Sequence, residues 1–246
     1  MTFERNPAPP PEPSPAPIVG SATAGQPSPV QIRLQILSTE HWSLLASRGL
    51  AWNESFSRAG MYLSTLSGSL VALGLIGGVD GFKDAFYVVA LIVLPVVLFV
   101  GIGTWLRMGA TNYHDAITVF GMNRIRAAYL EIAPELAPYF VMGVHDDPAG
   151  IGITMAVPPG TPAIVHLIAG TPTLVMVLNG IVSGAIAAVA VLRATGAAGN
   201  VALATALVVT MAVIGFQMRV ARRNIQRLQS LVHPMFPTPP GDRPGA

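Results

Sequence analysis

The triplet His145-Asp146-Asp147 is the densest cluster of groups in this chain capable of acid–base or metal chemistry. Two carboxylates and an imidazole offer oxygen and nitrogen ligands, but adjacent side chains rarely converge on one ion, and Pro148-Ala149-Gly150 follows directly. The triplet therefore reads as a polar turn rather than a metal centre. His41 and His114 recur at helical spacing among apolar residues, where a hydrogen-bonded packing role outweighs a catalytic one. There is no Walker loop, G-x-S-x-G elbow, H-E-x-x-H or G-x-G-x-x-G. With no Cys, disulfides, thiolate nucleophiles and cysteine-held zinc or iron–sulfur clusters are excluded. No catalytic, cofactor or metal residue is assigned, and no cofactor is expected.

The elements that would position any site are apolar. Four uncharged runs, residues 59–79, 85–106, 173–192 and 194–218, are each long enough to cross a bilayer, because about 20 helical residues span a hydrocarbon core roughly 30 Å thick. They carry no Asp, Glu, Lys, Arg or His, which argues against proton-coupled carriers and pumps. Their polar inventory is Ser64, Thr65, Ser67 and Ser69 in the first, Asn179 and Ser183 in the third, and Thr205 and Thr210 in the fourth. Hydroxyls and amides of this kind serve helix packing more often than a water-filled path. Pro95 marks a kink in the second run.

Small residues stepping by four, Gly60, Ser64 and Gly68 in the first run and Gly180 and Gly184 in the third, predict helix-packing stripes. Whether their partners lie in the same chain is left open. Of the fourteen Arg and Lys residues, all but Lys83 and Arg193 fall on one side of a four-span topology. By the positive-inside rule both termini are cytoplasmic. One Lys against many Arg, with abundant Ala, Gly and Pro, suggests a high-GC bacterial genome and hence a bacterial plasma (inner) membrane. A formal net charge of +2 gives no nucleic-acid signature.

Residues 1–29 contain nine prolines and read as a disordered cytoplasmic tail, with a polyproline II docking segment as the other reading. Residues 30–133 read as a long helical hairpin whose spans, 59–79 and 85–106, extend into the cytoplasm by 27 to 29 residues, about 40 Å at 1.5 Å per residue. Leu34, Leu37, His41, Leu44, Leu45, Arg48, Trp52 and Phe56 form one face of the first extension; His114, Ile117, Gly121, Ile125, Ala128, Tyr129 and Ile132 form one face of the second. The fold class is thus all-α, four transmembrane helices in two hairpins with an antiparallel, coiled-coil-like cytoplasmic stalk. Its register is expected from the charge pairs Arg33 with Glu131 and Glu40 with Arg124.

Residues 134–172 are an irregular, Pro-rich cytoplasmic loop in which the apolar segment 151–157 is a short strand or a membrane-surface segment. The second transmembrane hairpin spans 173–218. A basic amphipathic helix follows at 219–233, and 234–246 reads as a disordered tail. Arg219, Arg222, Arg223 and Arg227 on one face suit anionic lipid headgroups or, equally, retain the helix while it packs on the protein.

The wording Glu40-His41-Trp42-Ser43-Leu44-Leu45 through Ser67-Gly68, and Gly121-Met122-Asn123-Arg124-Ile125-Arg126 through Pro138-Tyr139-Phe140, resembles segments of uncharacterised actinobacterial membrane proteins. The layout of the first half, a cytoplasmic helix, two spans and a returning helix, also resembles the SLATT-type membrane effectors, and that resemblance implies a pore. The expectation is a non-enzymatic membrane scaffold, a homo-oligomer or one bound to a membrane or cytoplasmic protein partner. An oligomeric channel or pore is the alternative, and a small carrier or lipid-modifying enzyme the weaker one.

Overall fold

The computed structural model describes residues 27–156, 170–196, 198–231 and 233–242, and among these it is all-helical. Helices α1 (Pro29–Asp80), α2 (Asp84–Ile132), α3 (Pro148–Thr154), α4 (Thr171–Thr195) and α5 (Gly199–Leu231) follow in order. Four of them, α1, α2, α4 and α5, are long and apolar enough to span a membrane. The proline-rich segment 1–26 and the stretch 157–169 fall outside the described residues.

Local chemistry sets the boundaries. Ser28 starts α1 with a capping box: its hydroxyl accepts from the Gln31 N–H, its own N–H donates to the Gln31 side chain, and Pro29 sits at the first helical position. Gly81, at φ 65°, ends α1 in the left-handed conformation that glycine adopts without a Cβ penalty. The Phe82 ring then folds back on Gly77, where a Cβ would not fit. α2 passes through Pro95 and ends at Ile132, before Pro134. Gly196, at φ 60°, ends α4 as Gly81 ends α1.

α2 is the hub, packed on α1 along its length and on α4 in its first half. Ala90, Leu94, Val97, Gly101, Thr104, Met108, Thr111, Asp115, Thr118 and Met122 are all buried and succeed one another at alternating steps of four and three. That is the seam spacing of a coiled coil. α1 answers with Ala59, Tyr62, Leu66 and Leu73, and α4 adds Val175 and Val182. Thr104, Thr111 and Thr118 enter the seam because each hydroxyl donates to the carbonyl four residues earlier.

In the second half of α2 the expected face holds at Gly121, against Leu44, at buried Ile125 and at Tyr129, stacked on His41, but not nearer the apolar run. His114 and Ile117 are exposed, while Asp115, Thr118 and Met122 are inside. This is possible because Asp115 is paired, as described below, so its burial leaves no bare charge. On α1, Leu45 and Phe56 likewise face outward, while Leu44, Arg48 and Trp52 face α2.

α4 and α5 touch backbone to backbone. A Cβ on Gly180 would collide with Ile214, and one on Gly184 with the Ala206 carbonyl and the Thr210 hydroxyl. Thr210 donates across this contact to the Gly180 carbonyl at 3.1 Å. Arg193 at the end of α4 reaches Asp84 at the start of α2, 3.3 Å away, so the two short interhelical turns lie together.

Candidate functional site

Beyond the apolar part of the bundle, the polar side chains gather in two places. Between α1 and α2, buried Asp115 accepts from Arg48 Nε at 2.5 Å and from the Trp52 indole at 3.0 Å. One turn nearer the apolar core, buried Ser55 donates to Thr111 at 2.9 Å. Glu54 is gripped by Arg107 and Arg58 on the exposed edge, and those bonds, Arg107 first, hold its carboxyl down to about 2. His114 meets the Ser47 hydroxyl at 3.3 Å, and His41 stacks on Tyr129 with ring centroids 6.0 Å apart. Burial, and then nearby Arg126, lowers the His41 pKa, so the ring is held neutral and acts as a packing plate.

The second gathering lies at the far end of α2, and it is the most completely bonded polar site among the described residues. Asn123, fully buried, donates to the His145 carbonyl at 2.7 Å, and its oxygen accepts from Arg126 at 2.8 Å and Thr154 at 2.7 Å. This pins the chain from His145 to α3 against α2. Gly143 and Gly150 allow the pinning, since a Cβ on either would strike the backbone of the facing segment. Asp147 caps α3 by accepting from the Gly150 N–H at 3.0 Å.

Asp146 and Asp147 then face the C-terminal segment. Asp146 accepts the backbone N–H groups of Met235 and Phe236, each at 2.8 Å, together with Arg124 Nε at 2.8 Å. Asp147 accepts the Thr238 N–H at 2.9 Å and its hydroxyl at 2.7 Å. The Asp146 N–H donates to the Phe236 carbonyl, and Arg124 also donates to the His233 carbonyl while its guanidinium sits 4.0 Å above the Phe120 ring. Burial pushes both carboxyls up, but the donors outweigh it: Met235, Arg124 and Phe236 around Asp146, and Gly150 and Thr238 around Asp147, hold each below its ordinary value.

Each carboxylate thus accepts three N–H or O–H donors, most of its roughly four acceptor sites, and in this arrangement the pair holds a peptide segment. This corrects the reading of 234–246 as a disordered tail, at least through Asp242: residues 233–238 are fastened by bonds to residues about ninety positions earlier. It also corrects the apolar segment 151–157 as a strand, since residues 148–154 form α3.

The remaining expected site residues divide sharply. Gly180 and Gly184 form a close helix contact, whereas Gly60, Ser64 and Gly68 face outward and neither glycine has an atom within 4 Å of a Cβ position. Among the described residues no ion pair joins Arg33 to Glu131 or Glu40 to Arg124. Arg124 is turned to Asp146 instead, because a buried carboxylate with two further N–H donors is the stronger partner for a guanidinium. Arg219, Arg222, Arg223 and Arg227 are all exposed along α5. Tyr62, Gly101 and Asn179, which no motif marks, meet in the apolar part of the bundle.

No protein-family model matches the chain, and neither a curated protein nor a solved structure shows significant similarity to it.

Proposed function

We propose that this chain is a non-enzymatic, oligomeric plasma-membrane protein with cytoplasmic termini, whose cytoplasmic helical stalk assembles copies of itself or couples a partner to the bilayer. The observation that carries this reading is the outward face of α1. Gly49, Gly60, Gly68, Gly74 and Gly78 have open space where a Cβ would sit, and Ser57, Ser64 and Ser67 are exposed among them. Beyond the apolar run the same face continues through Phe56, Asn53 and Trp42, with Trp42 68% and Phe56 54% exposed.

Positions 42, 46, 49, 53, 56, 60, 64, 67, 71, 74 and 78 step by three and four, the spacing of a helix seam, and most are Gly, Ala or Ser. Lipid covers the spanning part of such a face but not its cytoplasmic part. A helix of equal length at equal depth covers both, and a second copy held in the same orientation supplies one. Asn53 then meets Asn53 and Ser64 meets Ser64; a lone polar residue in an apolar seam fixes register in this way. The stalk reading is supported by contacts that climb α1 as they descend α2: Leu44 with Gly121, Arg48 with Asp115, Ser55 with Thr111. The exposed arginines of α5 suit anionic headgroups at the cytoplasmic surface.

An oligomeric channel is the second reading, favoured by the outward hydroxyls of Ser57, Ser64 and Ser67 on a membrane-crossing face. Purified protein in native-lipid particles and in ion-flux liposomes separates the two. Several copies per particle without flux is the result expected. Flux through the multimer transfers the assignment to a channel, and a monomer that binds no partner contradicts both.

A further inference from the structure

We propose that Tyr62 and Asn179 hold a water molecule between them at Gly101, a binding site inside the apolar bundle for one small guest that both donates and accepts hydrogen bonds. Tyr62 on α1 and Asn179 on α4 have no exposed surface, and the Tyr62 hydroxyl and both polar atoms of the Asn179 amide have no hydrogen-bond partner within the protein. The two side chains meet at one point of α2: a Cβ on Gly101 would collide with Asn179 Oδ1 and lie 2.8 Å from the Tyr62 ring.

Neither adjacent hydroxyl bonds to them. The Thr104 hydroxyl is committed to the Val100 carbonyl at 2.9 Å, and Ser183 to the Asn179 carbonyl at 2.7 Å. The surrounding core is apolar, made of aliphatic side chains with Met108, Phe86 and Trp105 among them. In an apolar bundle an unpaired amide or phenol is costly, and lipid offers no replacement for the lost bonds. An amide presents an acceptor and two N–H donors, and a phenol presents one donor and lone pairs. Water donating to Asn179 Oδ1 and accepting from the Tyr62 hydroxyl serves both residues at once.

The site selects for size and charge. The two side chains close over Gly101, so a Cβ there would displace them, and any guest must sit beside their polar ends and be no larger than a water. Two neutral oxygens are too few to replace the hydration shell of a hard cation. Tyr62 lies four residues past Arg58 and Gly101 six before Arg107, so the site sits about 6–9 Å inside the last charges.

The test is a mutant cycle on the full-length protein in lipid nanodiscs, with Tyr62→Phe, Asn179→Leu and the double variant. Each single change is expected to lower Tm by about 2–4 °C, and the double to lower it by less than the sum, since either change leaves the water with one host. A rise in Tm in either single variant overturns the site, because deleting a polar group that bonds nothing relieves its cost. Tyr62→Phe removes one oxygen and keeps the ring, so the sign of its Tm change decides even where Asn179→Leu does not fold. A high-resolution map of the wild type is expected to hold density about 2.7–3.2 Å from both side chains. Tyr62 and Asn179 bonded directly to each other would overturn the guest.

Discussion

Asp146 is the residue that fastens the C-terminal segment to the far end of α2. It accepts three N–H donors with no exposed surface, so Asp146→Asn places an NH2 group against donors and loses the charge opposite Arg124. The expected cost is about 2–3 kcal/mol of local stability. Hydrogen exchange at the Met235 and Phe236 amides reads it directly: protection should fall in the variant while amides in α4 are unchanged. The pH dependence follows from the same bonds. Both carboxyls are held below the ordinary 3.8, so their contribution is complete above that value and disappears as pH falls through the lower folded values. Protection of the C-terminal segment should be flat from pH 8 to pH 5 and decline below about pH 4. A decline already between pH 7 and pH 6 would point to a histidine instead. Between α1 and α2, Asp115→Ala leaves Arg48 and the Trp52 N–H without their acceptor and should lower Tm by several degrees, roughly the effect of 2–3 kcal/mol.

At the scale of elements, the two glycine stripes behave oppositely. Gly184→Leu drives a side chain into the Ala206 carbonyl and should separate α4 from α5, seen as misfolding or a large loss of Tm in detergent. Gly68→Leu meets open space and should leave monomer stability within about 0.5 kcal/mol while weakening any self-association. Leu73, 6% exposed in the core, is the more sensitive of these two α1 positions to enlargement, so Leu73→Phe should destabilise the fold more than Gly68→Leu. The four long helices and the stop before Pro134 were legible in the sequence because apolar length and proline are local signals, whereas the end at Thr195 was not, since the apolar composition runs on across the turn. Nor was the buried face of α2 next to the apolar run. Its seam mixes Gly101, Thr104, Thr111 and Asp115 with aliphatic residues, so hydrophobicity tracked His114 and Ile117, one position away. The Asp146 and Asp147 cradle was hidden for a different reason, since its partners lie about ninety residues downstream and are mostly backbone N–H groups that carry no side-chain signature.

Across the whole molecule, α1 presents a face rich in small residues, running from Trp42 to Gly78, that no other described helix of the chain covers. The proposed self-association along α1 can be read with single cysteines, because the chain has no Cys. Ser64→Cys lies on the outward face and Leu66→Cys faces the core. Oxidative cross-linking in isolated membranes should give a covalent dimer with Ser64→Cys and none with Leu66→Cys, because parallel copies bring equal depths of α1 together. Ser64→Cys that stays monomeric under conditions where a cysteine pair at Ser55 and Thr111, whose γ oxygens lie 2.9 Å apart, closes within the chain would contradict assembly through α1.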